Sequence, residues 1–138
     1  MRRLFVAVLG FGSLLAAQPA LAHHSFAAEF DEKQPITLRG KLSKMEWANP
    51  HGWLHMDVIG PDGKVVRWAV EAGSPNSLLR RGLRKDDFPM GIEIIVEGYR
   101  AKNGSPTVNG RTVKFLDGRN FFMGSSGTTP GEPASPRP

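Results

Sequence analysis

Apolar and polar residues alternate over most of the chain between residues 36 and 116, and the alternation marks out five strands. In the first, Ile36 to Trp47, the residues Ile36, Leu38, Gly40 and Leu42 fall on one face and Thr37, Arg39, Lys41 and Ser43 on the other. Gly40 inside this strand predicts a bulge or sharp bend, and Asn49-Pro50 breaks it. The second strand, Gly52 to Ile59, places Gly52, Leu54, Met56 and Val58 on an apolar face, with His51, Trp53, His55 and Asp57 opposite. Gly60-Pro61-Asp62-Gly63 is a hairpin signal leading into the third strand, Lys64 to Glu71, where Val66, Trp68 and Val70 share a face.

The period then changes. Ser74-Pro75 reads as an N-cap followed by proline at the first helical position, and Leu78, Leu79 and Leu83 recur at helical spacing. Arg80, Arg81, Arg84 and Lys85 suit a helix C-terminus, and Gly82 suits its stop, so one short helix is expected from about Pro75 to Gly82. A fourth strand, Ile92 to Tyr99, and a fifth, Thr107 to Leu116, flank a turn at Lys102-Asn103-Gly104-Ser105. Asn109-Gly110 marks an interruption of the fifth. Asp117-Gly118 turns the chain again, and Phe121-Phe122-Met123 is a last apolar anchor. Three strands, a helix and two strands give the expected fold: mainly β, a small five-stranded OB-like barrel with one short helix between strands 3 and 4. An antiparallel β-sandwich is the alternative.

The ends do not belong to this pattern. Met1-Arg2-Arg3, a nearly all-apolar run from Leu4 to Ala17, and Ala20-Leu21-Ala22 follow the order of a secretory signal peptide with its cleavage site. The run falls short of the roughly 20 apolar residues that a bilayer span needs. Residues 1–22 are therefore read as a signal peptide, 23–123 as a single β-barrel domain and 124–138, rich in Gly, Ser, Thr and Pro, as a disordered tail. Of 18 Lys and Arg, only Arg2 and Arg3 lie in the signal, which leaves 16 against 13 acids, a net of +3. That charge is no nucleic-acid footprint. There is no cysteine, so an exported chain must hold together on its core alone. Periplasmic localisation, with no membrane span after signal cleavage, fits these facts.

Several blocks together resemble a known family. They are Ala22-His23-His24-Ser25-Phe26, Phe30-Asp31, Gly40, Glu46-Trp47-Ala48-Asn49-Pro50-His51, Trp68 and Glu71, Ser74-Pro75, Arg81-Gly82, Gly98, Ala101-Lys102-Asn103-Gly104 and Asp117-Gly118-Arg119. The chain is similar through them to small exported bacterial proteins catalogued only as a domain of unknown function. The resemblance implies export and a small β-rich fold, and it carries no catalytic residue. Pro89-Met90-Gly91-Ile92 departs from the Pro-Gly-Asp type of turn that the resemblance implies there.

The candidate chemistry lies in the histidines and tryptophans. All four histidines fall in two pairs, His23 with His24 and His51 with His55. A mature N-terminal His23 offers an amine and an imidazole from one residue. With a second imidazole, from His24 or His51, the set suits Cu(II). In a regular strand His51 and His55 stand about 13 Å apart, too far to share one ion. His51, at the corner, is the better metal ligand of the two. The bland reading keeps His23 and His24 as a frayed terminus and packs the His51 ring on Trp47 or Trp53. Trp47, Asn49, Trp53 and His55 form a second candidate, a corner able to hold a small ligand or a partner protein. Trp68, in line with Val66 and Val70, reads as core packing.

No cysteine nucleophile, Gly-x-Ser-x-Gly, phosphate loop or helical His-x-x-x-His is present. Glu46, Glu71, Glu93 and Glu97 are scattered carboxylates on strands. The expectation is a non-catalytic periplasmic binding or accessory protein, with copper as the candidate cofactor. The exported protein should begin at His23. Intact mass is expected to lack residues 1–22, and a mass that retains them would take away the free-amine ligand.

Overall fold

Every apolar alternation in the chain is satisfied on one sheet, in a computed structural model that describes residues 26–124. Residues 1–25 and 125–138, which hold the expected signal peptide, His23, His24 and most of the expected tail, lie outside the described residues. The elements are α1 (Phe26–Glu29), β1 (Phe30–Glu46), β2 (Trp53–Ile59), β3 (Val65–Glu71), α2 (Pro75–Arg80), a 3-10 turn at Lys85–Asp87, β4 (Glu93–Ala101), β5 (Thr107–Phe115) and β6 (Asn120–Phe122). The six-stranded sheet runs β3-β2-β1-β4-β5-β6 with antiparallel neighbours, and β3 also pairs parallel with β5.

β1 organises the sheet because it serves two partners. Phe30 to Lys41 pairs with β4, and Lys41 to Glu46 pairs with β2. The handover falls at Gly40, where an added Cβ would lie 2.5 Å from the Asp57 carbonyl oxygen and 2.9 Å from Val58 Cγ2. Glycine is required there for close backbone approach. The bulge itself lies further on: the register with β2 shifts between Leu42 and Lys44, and the Ser43 hydroxyl donates to the His55 carbonyl at 3.1 Å. The core gathers Leu42, Leu54, Met56, Val70, Ile94 and Val113, all at 1% exposure or less. It is capped by Leu78 of α2 and by Leu83.

Local signals account for the connections. Gly63, at φ +76°, closes the β2–β3 hairpin through Gly63 N–H to the Gly60 carbonyl at 3.0 Å. The Ser74 hydroxyl accepts from Ser77 N–H at 3.3 Å with Pro75 as the first helical residue, and Gly82, at φ +88°, ends the turn beyond Arg81. Trp68 packs against the core as its alternation implied.

Several boundaries differ from the expected ones. β1 starts at Phe30 rather than Ile36, because Phe30 pairs with Ala101 and is itself buried. β4 runs from Glu93 to Ala101 rather than from Ile92 to Tyr99. β5 is continuous through Asn109-Gly110, with a register shift against β4 in place of a break. A sixth strand forms where an apolar anchor was expected, as Phe121 and Phe122 pair with Val113 and Thr112. Gly124, assigned to the tail, is buried, and its carbonyl accepts from Arg81 Nη1 at 2.7 Å.

Gly40→Ala should destabilise the fold by about 1–3 kcal/mol, the usual range for overpacking. The blocking atom is backbone, which cannot rotate away. An unchanged urea midpoint would show that β1 does not need this approach to serve both partners.

Candidate functional site

The corner between β1 and β2 carries the candidate residues, and one register row positions them. Glu46 lies opposite Trp53, Trp53 opposite Glu71, Glu71 beside Asn109, and Asn109 opposite Tyr99. Directly paired residues share a face. The row therefore sets Glu46, Trp53, Glu71, Asn109 and Tyr99 on one side of β1, β2, β3, β5 and β4. His51, just before β2, joins it: its Nδ1 pairs with Glu71 Oε1.

Glu71 is the centre of this arrangement. Only 6% exposed, it bonds His51 through Oε1 and accepts from Asn109 Nδ2 at 3.3 Å through Oε2. A buried carboxylate is costly unless paired and hydrogen-bonded. Both of its oxygens are engaged here. In the neutral tautomer that donates its Nδ1 proton to Glu71, His51 has its ring lone pair on Nε2. Gly110 helps bring Asn109 into place. An added Cβ there would lie 2.4 Å from Met123 Cε and 2.7 Å from Val70 Cγ1, so a larger residue would lift β5 from β3.

A second histidine–carboxylate pair stands across Trp53. His55 Nε2 meets Glu46 Oε1 at 2.9 Å, and Lys44 Nζ donates to the same oxygen at 2.7 Å. Lys44 first, then His55, holds the Glu46 carboxyl below its ordinary value. This pair is more open than the first, since the Glu46 side chain is 39% exposed against 9% for Glu71.

The expected site residues separate accordingly. His51 and His55 do not converge: each has its own carboxylate, as the strand spacing requires. Trp53 is half-buried beside both pairs, and Asn49 is exposed before a cis Asn49–Pro50 bond. Trp47 packs against the core cluster, so it belongs less to an open corner than to its support. His23 and His24 lie outside the described residues, which begin at Phe26. Phe26 stacks on Phe30 at 5.9 Å and sits edge-on to Tyr99 at 5.5 Å, which ties the start of the described chain to the end of the row. Among the described residues, no group of three or more His, Asp or Glu is placed to hold a metal ion. No helix among them is long and apolar enough to cross a membrane.

Glu71, Glu46 and Asn109 are the site residues that alternation does not single out. Glu71 reads as one more outward strand carboxylate until β5 is laid beside it.

The family model described as Family of unknown function (DUF6152) matches residues 13–110. No curated protein and no solved structure matches the chain.

His51→Ala should destabilise the protein by about 1–3 kcal/mol, because it strips a partner from a buried carboxylate. His55→Ala, facing an open carboxylate, should cost about 0–1 kcal/mol. Chemical denaturation of both variants tests the ranking, and equal losses would remove the distinction drawn between the two pairs.

Proposed function

We propose, for a chain that belongs to DUF6152, a family of unknown function, that it is an exported, non-catalytic periplasmic binding protein that holds a copper ion. Its frame in this reading is a small OB-like barrel. The parallel β3–β5 pairing supports it: following partners from Glu46 through Trp53, Glu71, Asn109 and Tyr99 leads back to β1 at Pro35. A ladder that returns to its starting strand at a displaced residue is a staggered closed sheet. The placement of α2 between β3 and β4 fits the same order.

The single observation that carries the copper reading is the support beneath His51. Metal-ligating histidines commonly donate their other ring N–H to a carboxylate, which sets tautomer and orientation. His51 has that partner in Glu71, and Glu71 has its own in Asn109. One imidazole does not make a site, and the remaining ligands fall to the amine and imidazole of His23 and to His24. Phe26 gives this a geometric basis, because it anchors the chain on Tyr99, the row partner of Asn109. His23 is three residue steps from Phe26, a reach of up to about 11 Å. Nitrogen ligands of this kind favour Cu(II) over Zn(II).

The second reading keeps the corner and changes the ligand. Trp53, flanked by the His51–Glu71 and His55–Glu46 pairs and followed across the turn by the exposed Asn49, offers an aromatic surface with polar edges. Such a surface suits a small polar ligand or a partner protein.

Calorimetric titration of the exported protein separates the two. One Cu(II) should bind more tightly than Zn(II). His51→Ala and one residue added before His23 should each weaken it, and Glu71→Gln should weaken it about 10–100-fold. His55→Ala should change little. Unaltered affinity in His51→Ala, with loss in His24→Ala, would reduce the site to a terminal peptide chelate. No copper binding at all would leave the Trp53 corner as the reading to pursue.

A further inference from the structure

Five asparagines occur in the chain, and two of them precede glycine, as Asn103-Gly104 and Asn109-Gly110. Asparagine is a thermolabile residue. Its weak point is the backbone nitrogen that follows it, which can attack the side-chain amide carbon. Glycine exposes that nitrogen most, because it has no Cβ to shield it. The fold gives the two pairs opposite settings.

Asn103 stands exposed in the turn between β4 and β5. Its Oδ1 accepts from Ser105 N–H at 3.0 Å, an Asx turn that folds the carboxamide over Gly104. The same N–H is placed to stabilise the negative charge that gathers on Oδ1 when the amide carbon is attacked. Gly104 lies at φ +77°, with nothing within 4 Å of where a Cβ would stand. Its own N–H is held by the Ala101 carbonyl at 3.2 Å, the long end of the usual range. Asn109, by contrast, is 1% exposed in a strand laddered to β4 on one side and β3 on the other. Its Nδ2, the nitrogen that would leave, donates to Glu71, and Met123 and Val70 crowd Gly110. The other three asparagines are followed by poorer nucleophiles. Pro50 after Asn49 has no N–H. Ser77 after Asn76 donates its N–H to Ser74 Oγ, and Phe121 after Asn120 carries a bulky ring packed on Phe115.

We propose that Asn103 is a modification site, converted without an enzyme to isoaspartate and aspartate, and that the fold protects Asn109. The Gly104 nitrogen gives its proton to solvent base and bonds to the Asn103 amide carbon. The bond from that carbon to Nδ2 breaks, and the nitrogen takes up a proton and leaves as ammonia. The product is a cyclic succinimide. Water opens the ring at either carbonyl, giving aspartate or, with the backbone routed through the side chain, isoaspartate. One water enters, one ammonia leaves, and nothing is oxidised or reduced.

The turn is also a clamp. Lys102 N–H donates to the Glu29 carbonyl at 2.9 Å and Lys102 Nζ to the Ala27 carbonyl at 2.5 Å, which fastens α1 to the start of the turn. Isoaspartate lengthens the backbone by one carbon next to Lys102, and either product sets a carboxylate beside that ammonium. Conversion at Asn103 therefore loosens α1.

Peptide mapping by mass spectrometry tests this on the purified protein held in mildly alkaline buffer, with a parallel sample in urea. Folded protein should convert at Asn103 alone, at a rate close to that in urea, whereas Asn109 should convert only in urea. Gly104→Ala, whose new methyl meets open space, should slow conversion at Asn103 severalfold while circular dichroism shows it still folded. Exchange of the Lys102 amide hydrogen should be faster in the aged protein. An Asn103 that converts only in urea overturns the proposal, as does an Asn109 that keeps pace with it in folded protein. Conversion at Asn103 with unchanged exchange at Lys102 overturns the loosening of α1.

Discussion

The contact on which the rest depends is the short parallel pairing of β3 with β5. It spans Ala69 to Glu71 against Thr107 to Asn109, yet it joins strands that the chain makes far apart. Without it, β3 is the outer strand of a meander and Glu71 points its carboxylate at water. With it, Glu71 is enclosed, Asn109 is brought to its second oxygen, and His51 is drawn to its first. The pairing is allowed by small residues: Gly110 lets β5 approach Val70 and Met123, and Gly98 tolerates the Asn109 carbonyl, 2.2 Å from where a Cβ would stand. Side-chain economy on β5 and β4 is thus what places a charged group in the interior.

That enclosure gives the two histidine–carboxylate pairs different characters. Glu71 must keep partners because the interior offers no water in their place. The ring it engages is consequently fixed in orientation. Glu46 lies in reach of solvent and of Lys44, so His55 is one neighbour among several. Two pairs that look equivalent in the sequence, each one histidine and one glutamate, differ because Glu71 has β5 beside it as well as β2, whereas β1 at Glu46 has only β2.

Much of the fold was legible in the residues, and the reasons are local. Alternation located β2 and β3 to within a residue at their starts, the Gly60-Pro61-Asp62-Gly63 turn set their register, and Ser74-Pro75 with Gly82 bracketed α2. What escaped was non-local. The first six residues of β1 include Asp31, Glu32, Lys33, Gln34 and Pro35, which show no strand alternation; they are carried into the sheet by Phe30 and by β4. β6 is only three residues long and forms because β5 presents an edge. At the site, His51 and His55 meet different carboxylates, Glu71 and Glu46. Their carboxylate partners could not be read, since sequence distance hides a 20-residue and a 9-residue contact equally well.

The division of the candidate ligands between the sheet and the chain start has a consequence under the copper reading. His51 is set by Glu71, and so by completion of the β3–β5 pairing. The amine of His23 would exist only after removal of residues 1–22. A site built from both requires folding and processing, each in turn, before it has its ligands. Copper would then be taken up only by folded, exported protein, and the unprocessed chain would present at most its imidazoles. A chain with no cysteine has no thiolate to capture copper before that point. Tight Cu(I) capture by thiolate is the competing reaction that such a composition avoids.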